Sequence, residues 1–519
     1  MSVAHADETF DFVVVGSGAG AMVGALCAAT RGMRTLLIEK TDRFGGTTAY
    51  SGGGIWIPGN AAIVRAGIDD SIELGREYLQ STVGDRVPAA MREAFLQNGP
   101  RVIDELEQNP NLEFVWRPFP DYFETAPGGF EQGRSVYALP VPMDEIGSRA
   151  AQLREPLLPD RGGSPQPEGM LIGGRAFLGR LLKALDEAGA VLRLNCGLTR
   201  LIAEDGAVVG LEVRDSVTGD ASAIRAERGV LLAAGGFERN EQMRRQYQPV
   251  GAAWTMGAPG GTGDAIRCGM EIGAAVDLMD QSWWSPGFLL PDGEIAFRLY
   301  ERGRPGAIVV NGNGERYADE TLPYDQFGHA MLDGEATGVS HIPSHFICDR
   351  RFLDTYVFCS IQPGEPIPPE WFESGALVEA ESLAALGERL ALPSGALEKT
   401  VTRFNEFARS GIDEDFHRGE TAFDRFFGDP EHGPNPCLGE VSDGPFYAAT
   451  VVLSDLGTKG GLQCDEHARV LNASGEPIKG LFATGNTMAS VMGESYPGPG
   501  CPIGSSMTFG FLGVVAAAG

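Results

Sequence analysis

Phe10-Asp11-Phe12-Val13-Val14-Val15-Gly16-Ser17-Gly18-Ala19-Gly20-Ala21 is the stretch that decides the fold. An apolar run long enough for one buried strand ends on Gly16, and the pattern G-x-G-x-x-A leads into the helical stretch Met22 to Thr30. The first two glycines allow a tight turn and a close approach of backbone to ligand. Ala21, in the third position, lets the helix pack close to the sheet. Thr35-Leu36-Leu37-Ile38 reads as a second strand and ends at Glu39, the spacing at which a carboxylate can accept ribose hydroxyls. Phosphate would be met by the free N–H groups and positive end of the helix. Strand, glycines, helix, strand and acid together give a dinucleotide site built on Gly16, Gly18, Ala19, Gly20, Ala21 and Glu39. Glu39 argues against a 2′-phosphate, since two anions would meet.

Further backbone suited to close approach follows at Gly45-Gly46-Thr47-Thr48 and Ser51-Gly52-Gly53-Gly54. Gly229-Val-Leu-Leu-Ala-Ala234-Gly235-Gly236 and Gly480-Leu-Phe-Ala-Thr-Gly485-Asn486 each read as a strand ending on small residues. Together these runs resemble the two-dinucleotide-fold flavoproteins of the fumarate reductase and succinate dehydrogenase type, in which the Ala-Thr-Gly run marks the segment that returns to the flavin. The resemblance implies FAD, with further contacts at Lys40, Gly46, Thr47, Thr48, Ser51, Gly52, Gly53, Ala234, Gly235, Gly485, Asn486, Pro502 and Ile503. Where succinate dehydrogenases tether flavin through a histidine, this sequence has Thr47, and the nearest histidine in sequence is His5; FAD is therefore expected to be non-covalent.

The stretch from about Trp283 to Ser454 is richer in aromatics and prolines and lies between the cofactor segments. The expected fold is α/β: a Rossmann-like FAD-binding domain built from two separated segments, residues 1–284 and 455–519, with an inserted α+β catalytic domain at 285–454. Within the first segment, Arg86 to Glu107 and, after Gly173-Gly174-Arg175, Ala176 to Ala188 read as amphipathic helices and Val191 to Val213 as a hairpin.

Bulk properties narrow the classes. A chain of 519 residues suggests two or three domains. A formal charge of −29 opposes binding to nucleic acid or to anionic lipid. No apolar run reaches the roughly 20 residues of a spanning helix, and the first strand begins too early to leave room for a signal peptide. The 8 cysteines contain no C-x-x-C pair, which argues against structural zinc or a dithiol centre and for buried thiols in a reducing compartment. The expected location is the cytoplasm, alone or with peripheral membrane attachment, without an integral membrane segment.

Near the other end, Ser495-Tyr496-Pro497-Gly498-Pro499-Gly500 runs through Cys501-Pro502-Ile503-Gly504 into an apolar, helix-like segment from Ser505 to Ala518. Stiff and permissive bonds alternate here, so a phenol and nearby N–H groups can be aimed at one point. This run, with Gly45-Gly46-Thr-Thr-Ala-Tyr-Ser-Gly-Gly-Gly-Ile-Trp-Ile-Pro58, closely resembles the 3-ketosteroid Δ1-dehydrogenases, end to end. The resemblance implies that flavin takes hydride from C1 of a 3-ketosteroid while a tyrosine removes the C2 proton. Reoxidation then falls to a quinone-like or other acceptor. Carried over by position, Tyr496 and the N–H of Gly500 would hold the C3 oxygen, Tyr324 would be the base, and Tyr122 would support it.

The chemistry asks for such a set independently. A proton beside a ketone comes off at neutral pH only if the forming enolate oxygen meets donors already in place, and a phenol with an ordinary pKa of about 10 needs help to act as a base. Tyr317 is the rival to Tyr324. Trp283, Trp284 and Phe288 could floor an apolar slot. The arginine-rich run Arg298-Leu-Tyr-Glu-Arg-Gly-Arg304 keeps a fumarate reductase-like dicarboxylate site as an alternative. Desaturation at C4–C5 and a flavin-binding electron-relay subunit without turnover are the others.

Overall fold

The computed structural model describes residues 6–163 and 165–519, so His5 lies outside the described residues. The strand Glu8–Val15 is buried on both faces from Phe12 onward, as a parallel strand covered on two sides must be. It pairs in parallel with Thr35–Ile38 on one side and Ala221–Leu232 on the other, and the latter pairs in parallel with Pro477–Ala483. Register sets Val15 beside Leu232, and Leu232 beside Ala483. Three strands from distant parts of the chain therefore end level with one another. An eight-stranded sheet is completed by Arg469–Leu471, the hairpin Cys196–Glu204 and Ala207–Asp215, and Val191–Arg193. The last of these is a separate parallel strand against Thr35–Ile38, so the expected hairpin at 191–213 starts later than its sequence suggests.

The helix after the first strand spans Ala19–Thr30, starting inside the glycine run because Gly18 is its N-cap. Helices also span Ala89–Leu106 and Gly173–Glu187. The C-terminal helix, Cys501–Ala518, begins four residues earlier than expected; Pro502 sits in its first turn, where a missing N–H costs no hydrogen bond. Among the described residues this is the one helix long and apolar enough to cross a membrane by length and composition, and the sequence already marks most of it as an apolar, helix-like segment. Two-thirds of it is buried inside the fold, where it crosses the Ala19–Thr30 helix with backbones nearly touching. A Cβ on Gly20 would stand 2.6 Å from the carbonyl oxygen of Ser506, and one on Gly510 would stand 2.4 Å from that of Gly20.

A second, six-stranded sheet is antiparallel, in the order Ile295–Phe297, Ser282–Leu289, Phe446–Thr458, Ser344–Asp349, Ala307–Val310, with Leu377–Ala380 also on Phe446–Thr458. Its strands reach from 282 to 458, a few residues beyond 285–454 at each end. Two apolar clusters fill the space between this sheet and its helices. The strand Phe446–Thr458 pairs with three others, Ser282–Leu289, Ser344–Asp349 and Leu377–Ala380, and its far end returns the chain to the first lobe.

Alanine at Gly20 should push the two crossing helices apart and destabilise the protein by about 1–3 kcal/mol, the usual cost of overpacking. Urea unfolding of the flavin-loaded protein measures this directly, and an unchanged midpoint would mean that the crossing is looser than described.

Candidate active site

Gly16, Ala233 to Gly235 and Thr484 to Asn486 leave the level ends of the three parallel strands together, at the carboxyl edge where open α/β sheets bind ligands. They open into a cavity of about 1200 Å³ that runs on past the second sheet. Every position assigned to the cofactor from the sequence, and Tyr122, Tyr324, Tyr496 and Gly500, border this cavity.

At the cradle end the walls are backbone. Gly52 and Gly235 have nothing within 4 Å of where a Cβ would stand. The Ala19–Thr30 helix carries no acidic residue in its first turn and no N-cap side-chain bond, so its first-turn N–H groups beyond Ala19 can face an anion. Thr48 Oγ1 accepts from Ala19 N at 3.2 Å, tying the glycine turn to the Gly46–Tyr50 turn. Glu39 is buried and accepts from Ser17 Oγ at 2.6 Å and from Thr41 N and Oγ1 at 2.9 and 2.8 Å. Lys40 is paired with Asp264 at 2.7 Å. Thr47 Oγ1 accepts from Ala258 N at 3.0 Å. The sequence reading overlooked the segment that makes these last two contacts, although its glycine-rich run Gly257-Ala-Pro-Gly-Gly-Thr-Gly-Asp264 was a signal of the kind used elsewhere. It also overlooked Glu238, a buried carboxyl on the cavity wall whose Oε2 has no hydrogen-bond partner. Backbone walls, an anion-ready helix end and an orphaned buried oxygen fit a bound dinucleotide.

At the other end three phenols meet. Tyr122, Tyr324 and Tyr496 come from the first segment, the inserted lobe and the C-terminal segment, with ring centroids 5.0–5.6 Å apart. The hydroxyl of Tyr324 interacts with those of both others, and the N–H of Gly500 is directed at the Tyr496 hydroxyl. Tyr324 opens the helix Tyr324–Glu335, at its positive end. Burial pushes all three phenols above their ordinary range. Phe119, Trp283 and Phe297 wall the space around them.

The 497–500 turn is pinned by its carbonyls. Tyr78 Oη donates to Pro497 O at 2.5 Å, Tyr122 N to the same oxygen at 2.9 Å, Ser135 Oγ to Pro499 O at 2.5 Å, and Trp56 N to Gly500 O at 3.3 Å. Gly500 has φ +96°, and a Cβ there would stand 2.3 Å from the Gly54 carbonyl, so only glycine holds this corner.

Several other candidates go elsewhere. Tyr317 does not border the cavity; its hydroxyl shares a 2.9 Å bond with Ser344 Oγ and its ring packs on His341 and Phe327. Trp284 and Phe288 belong to the core of the second lobe. Arg298, Arg302 and Arg304 donate to the carbonyls of Pro159, Glu320 and Leu322, and Gly428 respectively, so none is held ready as a dicarboxylate clamp.

Fold and site together define a flavoprotein of the two-segment FAD-binding kind. The chain belongs to the family of the FAD binding domain, which it matches over residues 11–503, and within it to the 3-ketosteroid Δ1-dehydrogenases. It is 43% identical to the 3-oxosteroid 1-dehydrogenase of Mycobacterium tuberculosis, over 97% of each chain. The crystal structure of 3-ketosteroid Δ1-dehydrogenase from Sterolibacterium denitrificans, in complex with 1,4-androstadiene-3,17-dione, superposes with a TM-score of 0.92 at 35% identity, covering 98% of this chain and 100% of that one. The 4-oxocyclohexanecarboxylate 2-dehydrogenase of Sinomonas cyclohexanicum is 33% identical over 97% of this chain and 92% of its own.

Burial, reinforced by the nearby Asp455 charge, pushes the Glu238 carboxyl up from 4.5 to about 7. A carboxyl raised on folding contributes its full stability below about pH 4.5 and loses it as pH climbs through about 7. Between pH 5 and 8 the melting temperature of the flavin-loaded wild type should therefore fall a few degrees more than that of Glu238→Gln. Parallel profiles would show that this carboxyl titrates normally.

Proposed function

We propose that the protein desaturates the C1–C2 bond of 3-ketosteroids, with Tyr324 as the base, Tyr122 as its partner, and Tyr496 with Gly500 N–H as the site of the C3 oxygen. The observation that carries this reading is the convergence of three phenols, one from each segment of the chain, in a cavity continuous with the cofactor cradle. The names of the M. tuberculosis and S. denitrificans relatives support it.

When bound, FAD supplies the hydride acceptor for C1. The work of the chain's own residues begins with the ketone. Its oxygen lies between the Tyr496 hydroxyl and the Gly500 N–H, two donors fixed before substrate arrives, which take up the negative charge as the enolate forms. Tyr324 Oη removes the C2 proton. Its phenolate is opposed by burial and, at rest, by its contacts with the Tyr122 and Tyr496 hydroxyls, and is favoured by the positive end of the helix it opens; Tyr122 supports the base once its hydroxyl turns to donate to Tyr324. The aromatic walls exclude water from the enolate and bury the fused rings, at roughly 25 cal/mol per Å² of apolar surface. Thr47 cannot form a covalent link to flavin, so the cofactor is held by contacts alone. A quinone-like or other acceptor completes turnover. Eight free cysteines suit a reducing, cytoplasmic setting.

Anaerobic mixing with a 3-keto-4-ene steroid should bleach the flavin and yield the 1,4-diene. Faster bleaching by succinate, or by 4-oxocyclohexanecarboxylate, would reassign the substrate, and a new double bond at C4–C5 of a saturated ketone would reassign the position. Acid precipitation should leave the yellow colour in the supernatant; flavin retained on the pellet would mean a covalent bond.

Tyr324→Phe and Tyr496→Phe should fail differently. Loss of the base slows C2 proton removal about 10²- to 10⁴-fold with little change in steroid affinity, whereas loss of Tyr496 weakens both binding and enolate stabilisation, by about 10²-fold or more in rate. Exchange of the C2 hydrogens with solvent deuterium separates them: it should vanish in the first variant and only decline in the second. Normal exchange in Tyr324→Phe would give the base to Tyr122.

A further inference from the structure

Beneath the three phenols lies a buried ion pair that the reaction as described leaves unused. The Lys459 side chain is 0% and that of Asp325 2% exposed, and Nζ stands 3.1 and 3.2 Å from the two carboxylate oxygens. The same ammonium donates to Glu494 O at 2.8 Å and lies 4.7 Å from the centre of the Trp283 ring. Asp325 Oδ1 also accepts from Trp284 N at 3.1 Å, and His329 Nε2 stands 3.7 Å from Oδ2.

Each partner of Lys459 adjoins the active site. Asp325 follows Tyr324 in the first turn of its helix. Glu494 is two residues before Tyr496. Trp283 packs edge-on against the Tyr496 ring at 4.8 Å and donates through Nε1 to Asn486 Oδ1 at 3.1 Å. One ammonium, placed just past the strand Phe446–Thr458, thus ties the element carrying Tyr324 in the inserted lobe to the element carrying Tyr496 in the C-terminal segment. A buried ion pair is a poor way to gain stability, because desolvation consumes most of the attraction and apolar residues fill such a space as well. It is a good way to fix distance and direction, since the attraction is lost unless the geometry is kept.

We propose that Lys459 and Asp325 are positioning residues, which hold the hydroxyls of Tyr324 and Tyr496 at the separation needed to act on adjacent carbons of one ketone; this rests on the roles given to those tyrosines above. The test is the double variant Lys459→Met with Asp325→Asn, which removes both charges and keeps an acceptor for Trp284 N. In flavin-loaded protein at saturating steroid, the first-order rate of flavin reduction should fall about 10- to 100-fold, as expected for a misplaced catalytic group. C2 deuterium exchange should fall with it, while the steroid dissociation constant, read from the flavin spectrum, should stay within about threefold. A purely structural pair would instead lower the melting temperature and leave the reduction rate of the folded protein unchanged, which overturns the inference.

Asp325→Asn alone keeps the ammonium on Glu494 O and serves if the double variant does not load flavin. It should slow reduction about 3- to 10-fold, and a wild-type rate there overturns the inference equally. The two levels of failure stay distinct. If the steroid does not reduce the wild-type flavin, the functional reading falls and takes this one with it; if wild type is reduced and the variants match it, only the positioning role is lost.

Discussion

The structure depends on one alignment: Val15, Leu232 and Ala483, far apart in sequence, must end their strands at the same level. Close packing on both faces enforces it, because a shift of one residue would exchange the side chains that fit the helices on the two sides of the sheet. With that register set, Gly16, Gly235 and Gly485 leave the sheet at one edge, and a dinucleotide site follows from backbone alone. The long excursion between Leu232 and Pro477 costs little once its own sheet and cores stabilise it. It can therefore hold a second lobe without disturbing the first.

The reacting end obeys a different constraint. A donor pair for an enolate is useful only if it does not move to meet the charge, so the role proposed for the Tyr496–Gly500 turn requires it to be rigid before substrate binds. Proline supplies part of this, but the carbonyls supply more: Tyr78, Ser135, Trp56 and the backbone of Tyr122 together hold Pro497, Pro499 and Gly500. The loop bearing Tyr122 is held in turn by Arg134, buried and bonded to Asp70, Asp121 and the Gly128 carbonyl. Rigidity passes from a buried guanidinium to a turn, and from the turn to a phenol.

The cradle was legible in the sequence because its signals are local. Glycines at fixed offsets from a strand and a helix state both conformation and purpose, and all such positions border the cavity. The C-terminal turn was legible for the same reason. Its helix start was misjudged because Pro502 reads as a breaker, although in a first turn it is not. Glu238, and the Lys459–Asp325 pair, were not legible at all. A lone acid, or a lysine and an aspartate 134 positions apart, has no local signature, and only tertiary packing makes it a buried charge.

Each of the three phenols is contributed by a different part of the chain, so no lobe holds a working site by itself. Burial raises all three phenols and keeps them protonated at rest. In that state Tyr496 is suited to donate, but Tyr324 is not yet a base. The asymmetry between them must come from fixed surroundings. Gly500 N–H faces Tyr496, whereas Tyr324 has the positive end of its helix and the hydroxyl of Tyr122. On the proposed mechanism, a ketone oxygen seated at Tyr496 would accept that hydroxyl's proton as its hydrogen-bond partner and leave Tyr324 to Tyr122 alone. In that mechanism, occupation of the oxygen site frees Tyr324 to turn toward C2, so binding would precede deprotonation.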